Sequence, residues 1–130
     1  MEKLLIKNGM IHDAVHRESY QADILVTDGK ITRMEKEITE EGAMVLDAAG
    51  KEVYPGFVDA HCHIGLIGYA VRFEGDDVNE PTDILTPQLR AIDAINPMDE
   101  TFQQALTGGV TCVGTGPGSA NVVGGTFAAI

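Results

Sequence analysis

The sequence predicts an α/β fold in two parts. Residues 1–54 read as an antiparallel β half-sandwich, and residues 55–130 as the first two βα units of a parallel barrel that is incomplete. Three observations carry this reading. Asn-Gly and Asp-Gly pairs punctuate short alternating runs in the first part. Two mostly apolar runs, Phe57-Val58-Asp59-Ala60 and Val110-Thr111-Cys112-Val113, have the composition of parallel strands buried on both faces. A helical stretch lies between them, and strand, crossover and parallel strand make a right-handed βαβ unit.

In the first part, Leu4 and Ile6 alternate with polar neighbours and meet Asn8-Gly9, read as a turn. Asp23 to Thr27 is a second strand, Asp28-Gly29 a two-residue hairpin turn, and Lys30 to Met34 the returning strand. Met44 to Asp47 and Glu52 to Tyr54 are two more short strands around Ala49-Gly50-Lys51. The character changes at Pro55-Gly56. Ile64 to Asn96 is a long acidic segment with no sustained period, the kind of loop that usually serves function. Pro97 to Leu106 is expected to be helical, with Asn96 as N-cap and Pro97 at the first position. Met98, Phe102, Ala105 and Leu106 would form its apolar stripe, and Gly108-Gly109 its stop. Gly114 to Gly125 is a glycine-rich loop.

Composition bounds the function. The 130 residues are 44% hydrophobic and 22% charged, enough apolar content for a packed core rather than disorder. The formal net charge of −11 argues against nucleic-acid or anionic-membrane partners, which require basic patches. No run approaches the roughly 20 apolar residues of a membrane-spanning helix. Cys62 and Cys112 sit in different segments, so reduced thiols in a cytoplasmic setting are expected.

The chemistry concentrates at His61-Cys62-His63. Side chains alternate along a strand, so His61 and His63 share a face with Cα atoms about 6.6 Å apart. Two imidazoles at that spacing can converge on one ion, whereas Cys62 points to the other face and is not a ligand. Two histidines in a strand are by themselves weak grounds for a metal site. Their place at the carboxyl end of the first barrel strand raises the assignment, because catalytic groups gather there in parallel barrels.

Pro55-Gly56-Phe57-Val58-Asp59-Ala60-His61-Cys62-His63 resembles the opening motif of the amidohydrolase superfamily. The preceding strands, ending in Gly50-Lys51-Glu52-Val53-Tyr54-Pro55-Gly56, are similar to that family's amino-terminal half-sandwich. Gly116 to Gly125 looks like the imidazolonepropionase-like cyclic amidohydrolases within it. The resemblance implies a (β/α)₈ TIM-like barrel, here truncated to an amino-terminal fragment. It implies one or two divalent metal ions, zinc by preference, with His61 and His63 as the first two ligands. Further ligands and the catalytic acid–base group are expected beyond residue 130, so the isolated chain is expected to be inactive. The implied activity is hydrolysis of non-peptide C–N bonds in an amide or cyclic amide, by metal-activated water, in a homo-oligomer. The alternative is a non-catalytic scaffold or a truncation product that only interacts.

Other residues carry two readings each. Asp59 shares the face of His61, either orienting that ligand or satisfied by backbone N–H groups. Arg72 either grips a substrate carboxylate or makes a surface ion pair. Glu74, Asp76, Asp77 and Glu80 line a mouth or form a solvated loop, the latter being the commoner case. Gly114, Gly116 and Gly118 lack the Gly-Lys-Ser/Thr of a phosphate loop and read as a flexible segment. His12 and His16 are given no role.

Overall fold

A computed structural model describes residues 2–69 and 71–130; the side chain of Arg72 lies outside the described residues. The chain divides into two compact units, Met1–Pro55 and Gly56–Ile130.

The first unit is a five-stranded sheet of β1 (Lys3–Ile11), β2 (Tyr20–Thr27), β3 (Lys30–Glu35), β4 (Met44–Asp47) and β5 (Glu52–Val53). β1, β2 and β3 are antiparallel neighbours. Asp28 and Gly29 both take positive φ, 48° and 76°, the conformation that matches a two-residue turn to strand twist. The antiparallel expectation gives way for β4 and β5, which both pair parallel to β1. β1 thus lies between β2 on one side and two short strands on the other, and the sheet is mixed.

Asn8-Gly9 is not a turn either. It is a bulge inside the nine-residue β1, where the register with β2 shifts between Ile6 and Gly9. Asn8 has φ 63°. Its N–H donates to Asp23 Oδ1 at 2.8 Å and its Nδ2 to Asp47 Oδ1 at 3.0 Å. An Asn-Gly pair supplies positive φ to a bulge as readily as to a hairpin, and the apolar residues on both sides decide for one continuous strand. The core lies in two clusters, Leu5, Leu25 and Ile38 on one hand and Ile11, Ala22 and Ile24 on the other. They alternate along β1 and β2, as side chains on opposite faces of a sheet must.

The second unit holds β6 (Phe57–Cys62), β7 (Val110–Thr115) and β8 (Ala128–Ala129) in that sheet order. β6 and β7 are parallel and β8 runs antiparallel to β7. Between β6 and β7 lie a 3-10 turn (Arg72–Gly75), α1 (Ala91–Ala94) and α2 (Glu100–Thr107). α2 begins later than Asn96 and Pro97 suggest, and its N-cap is Asp99, whose side chain accepts from Thr101 N–H. Asn96 instead closes a local turn onto the N–H of Met98 at 3.0 Å. Both residues are competent caps; Asp99 prevails because it is buried and receives further donors. Met98 therefore precedes the helix and is exposed, leaving the predicted stripe.

β6 departs most from expectation. Predicted as buried on both faces, it is exposed along nearly its whole length. It occupies an edge of its sheet with β7 as its one neighbour, so among the described residues no second layer covers it. The unit packs instead around Leu66, Val78 and Ala91, all three within the long segment.

Candidate metal centre

β6 delivers the two histidines. The parallel ladder with β7 shifts register between Asp59 and Cys62, the stretch that carries His61. His63 follows directly on the strand. Their rings lie 5.4 Å apart, edge to face at 82°. They therefore stand on one side of the chain, as alternation requires.

His63 is held by a bond that sequence reasoning missed. Its Nδ1 donates to the carbonyl oxygen of Gly116 at 2.6 Å. A carbonyl only accepts, so in the neutral ring Nδ1 carries the proton and Nε2 keeps its lone pair. This is how metal-binding histidines are commonly oriented. Gly116 in turn donates its N–H to Cys62 O at 3.2 Å. A Cβ there would stand 2.3 Å from Phe127 Cδ2, so any other residue would force that ring to move. Phe127 also packs on His61, with ring centres 5.0 Å apart. The signal lay in the glycine-rich loop, but nothing local tied it to a histidine 53 residues earlier.

Asp59 is exposed, and its Oδ1 accepts the backbone N–H of His61 at 3.1 Å. It braces the backbone at the histidine rather than the imidazole. The side chain of Arg72, read as a candidate substrate grip, lies outside the described residues.

Beside His63 opens a groove of about 700 Å³ whose lining includes Ile67, Tyr69, Phe73, Asp76, Asp99 and Thr101. Asp99 is buried, which opposes its charge. Donation from the hydroxyl and N–H of Thr101 and from Tyr69 N–H outweighs that and holds the carboxyl below its usual range. From the acidic segment, Asp76 reaches the groove while its Oδ1 caps Val78 N–H at 3.2 Å.

The fit to a divalent ion is partial. An ion bound tetrahedrally to two imidazole nitrogens at ~2.0–2.1 Å places the ring centres roughly 5 Å apart, close to the 5.4 Å found. Among the described residues no group of three or more His, Cys, Asp or Glu surrounds that point. A catalytic zinc takes three protein ligands as a rule, so the chain offers part of a coordination sphere.

His12 and His16, given no role from the sequence, both have partners. His12 stacks on Tyr54 with centres 4.3 Å apart and bonds Glu52. His16 bonds Asp13 at 2.9 Å. Among the described residues no helix is long and apolar enough to cross a membrane.

No family model matches the chain. The crystal structure of an amidohydrolase from Thermotoga maritima MSB8 is similar over 98% of this chain and 33% of its own, with TM-score 0.90 and 42% identity. An amidohydrolase from Hapsidospora irregularis, tasK, is 38% identical over 107 residues, 79% of this chain and 11% of that protein. A dihydroorotase from Pelotomaculum thermopropionicum is 43% identical over 70 residues, 54% of this chain and 16% of that protein. The chain thus spans between about a tenth and a third of the length of these relatives. With its paired imidazoles at the end of β6, and a backbone that follows a solved amidohydrolase almost throughout, the chain belongs to the amidohydrolase superfamily.

Proposed function

We propose that this chain supplies the first two metal ligands, His61 and His63, of a metal-dependent hydrolase of non-peptide C–N bonds. The observation that carries the reading is the His63–Gly116 bond, which leaves Nε2 free beside a second imidazole. Support also comes from relatives that carry the names amidohydrolase and dihydroorotase. Those names favour amides, cyclic ones included, as the substrate class. The wider match is to these enzymes, so the imidazolonepropionase-like placement is kept only as one version of the same substrate class.

His61 and His63 would hold a divalent ion such as zinc, which when bound would supply an acidified water and polarisation of a substrate carbonyl. The chain's own residues do the rest of the positioning. Gly116 fixes the orientation of His63, and Asp59 braces the backbone at His61. The groove beside His63, walled by Ile67, Tyr69 and Phe73, offers a largely apolar seat for the ring of a cyclic amide. The remaining ligands and the proton-transferring carboxylate are assigned to other segments of the whole protein, which we propose to be a cytoplasmic homo-oligomer.

The test has two arms. Hydrolysis of cyclic amides by the whole protein is expected to stop with a chelator and to return with zinc; activity indifferent to chelation would remove the metal dependence, and no hydrolysis at all would leave the scaffold reading in its place. Zinc stoichiometry of this chain is expected to drop in a His61→Ala, His63→Ala double variant. Equal uptake by both proteins would remove the ligand assignment.

A further inference from the structure

The Gly116 carbonyl can orient His63 only if the loop that carries it is held still. On the near side the loop is fixed by Gly116 N–H to Cys62 O and by the fully buried Thr115, whose hydroxyl donates to Ile64 O at 2.7 Å. On the far side it is tied to the acidic segment. Gly118 N–H donates to Val78 O at 2.8 Å, and Ala120 N–H to Asn79 Oδ1 at 3.3 Å. Asn121 closes the tie: its Nδ2 donates to Glu80 O at 2.9 Å and to Asp83 O at 2.6 Å. Both partners are carbonyl oxygens, so only the amino end of this amide satisfies them, and both its protons are used. Asn121 lies five residues beyond Gly116 and is part-buried, and no hydrogen bond joins it to either histidine.

We propose that Asn121 is a positioning residue for His63. By clamping the glycine-rich loop onto the Glu80–Asp83 turn it holds the Gly116 carbonyl under Nδ1, which keeps the proton there and presents Nε2 to the ion. The inference rests on the reading of His63 as a ligand, and it gives the acidic segment a role through its backbone carbonyls rather than its charge.

The experiment reads the His63 tautomer directly, by long-range ¹H–¹⁵N correlation in the metal-free, ¹⁵N-labelled chain carrying Val58→Lys throughout to keep it monomeric, and Co²⁺ affinity separately. The parent chain is expected to show Nδ1–H. N121D removes both donors and sets a carboxylate against two carbonyls. It is expected to give mixed tautomers and to weaken Co²⁺ binding by about tenfold, the low end for groups that orient ligands. N121Q keeps the donors on a longer arm and is expected to recover most of both readouts. T86V removes another bond to the same loop, Thr86 Oγ1 to Val123 O at 3.3 Å, and is expected to leave the tautomer as it was. Should N121D not fold, N121A, which leaves the two carbonyls to water, takes its place.

The proposal is overturned if the Asn121 variants keep the parent's tautomer and affinity. It is equally overturned if T86V disturbs His63 as much as N121D, or if N121Q is no better than N121D. A parent that binds no Co²⁺, yet loses its tautomer in N121D, would show that these two imidazoles alone do not hold the ion and leave the positioning role standing.

Discussion

Asp23 organises the first unit from a position that is 2% exposed. Its carboxylate accepts from Asn8 N–H at 2.8 Å and Ile38 N–H at 2.9 Å, and pairs with Lys7 Nζ at 3.0 Å. Burial opposes the charge, but these three donors prevail and hold the carboxyl below its usual range. One side chain thereby satisfies the bulge in β1 and the chain after β3. Replacing it with Asn leaves one buried donor facing an amino group, at a cost of roughly 3 kcal/mol. Urea denaturation checks this; an unchanged midpoint would contradict it. The sign of the pH dependence follows from the depressed value. Stability from Asp23 is fully present above the unfolded carboxyl's pKa of about 3.9 and is lost as pH falls through the lower folded value. Acid melts of the parent should steepen below that point, and those of D23N should be flatter there.

Among the elements, α2 is set by its cap. Asp99 binds Thr101 at the helix start and Tyr69 N–H at 3.3 Å across the groove. Asp99→Ala should cost about 1–2 kcal/mol, whereas Asn96→Ala, outside the helix, should cost less than about 0.5 kcal/mol. Equal losses in chemical denaturation would return the cap to Asn96. The β2–β3 hairpin rests on its turn, since a side chain at Gly29, with φ 76°, meets no atoms but an unfavourable backbone. Gly29→Ala is expected to lower stability by about 1 kcal/mol through that conformation alone.

For the whole molecule, the feature that matters is the bare edge of the second unit. Phe57 and Val58 on β6 are 55% and 68% exposed, on a strand whose one sheet neighbour among the described residues is β7. Exposed apolar edge strands pair with other chains. Sedimentation of this chain alone is expected to show oligomers or aggregates, shifted toward monomer by Val58→Lys. A monodisperse monomer that unfolds cooperatively would contradict this.

What the sequence determined by itself is what short-range chemistry governs. The Asp28-Gly29 turn follows from two positive φ angles, β2 and β3 from alternation, and α2 and its stop at Gly108-Gly109 from period and glycine. The pairing of His61 with His63 follows from the pleat. Tertiary structure decided what depends on partners far along the chain. Asn8-Gly9 is compatible with turn or bulge, and only the neighbouring β2 and β4 make it a bulge. Asn96 and Asp99 are equivalent caps until burial separates them. The parallel docking of β4 and β5, the exposure of β6 and the bond from His63 to Gly116 have no local signature. A strand's pattern records which face is apolar, but hydrogen-bond partners tens of residues away are chosen only when the chain closes around them.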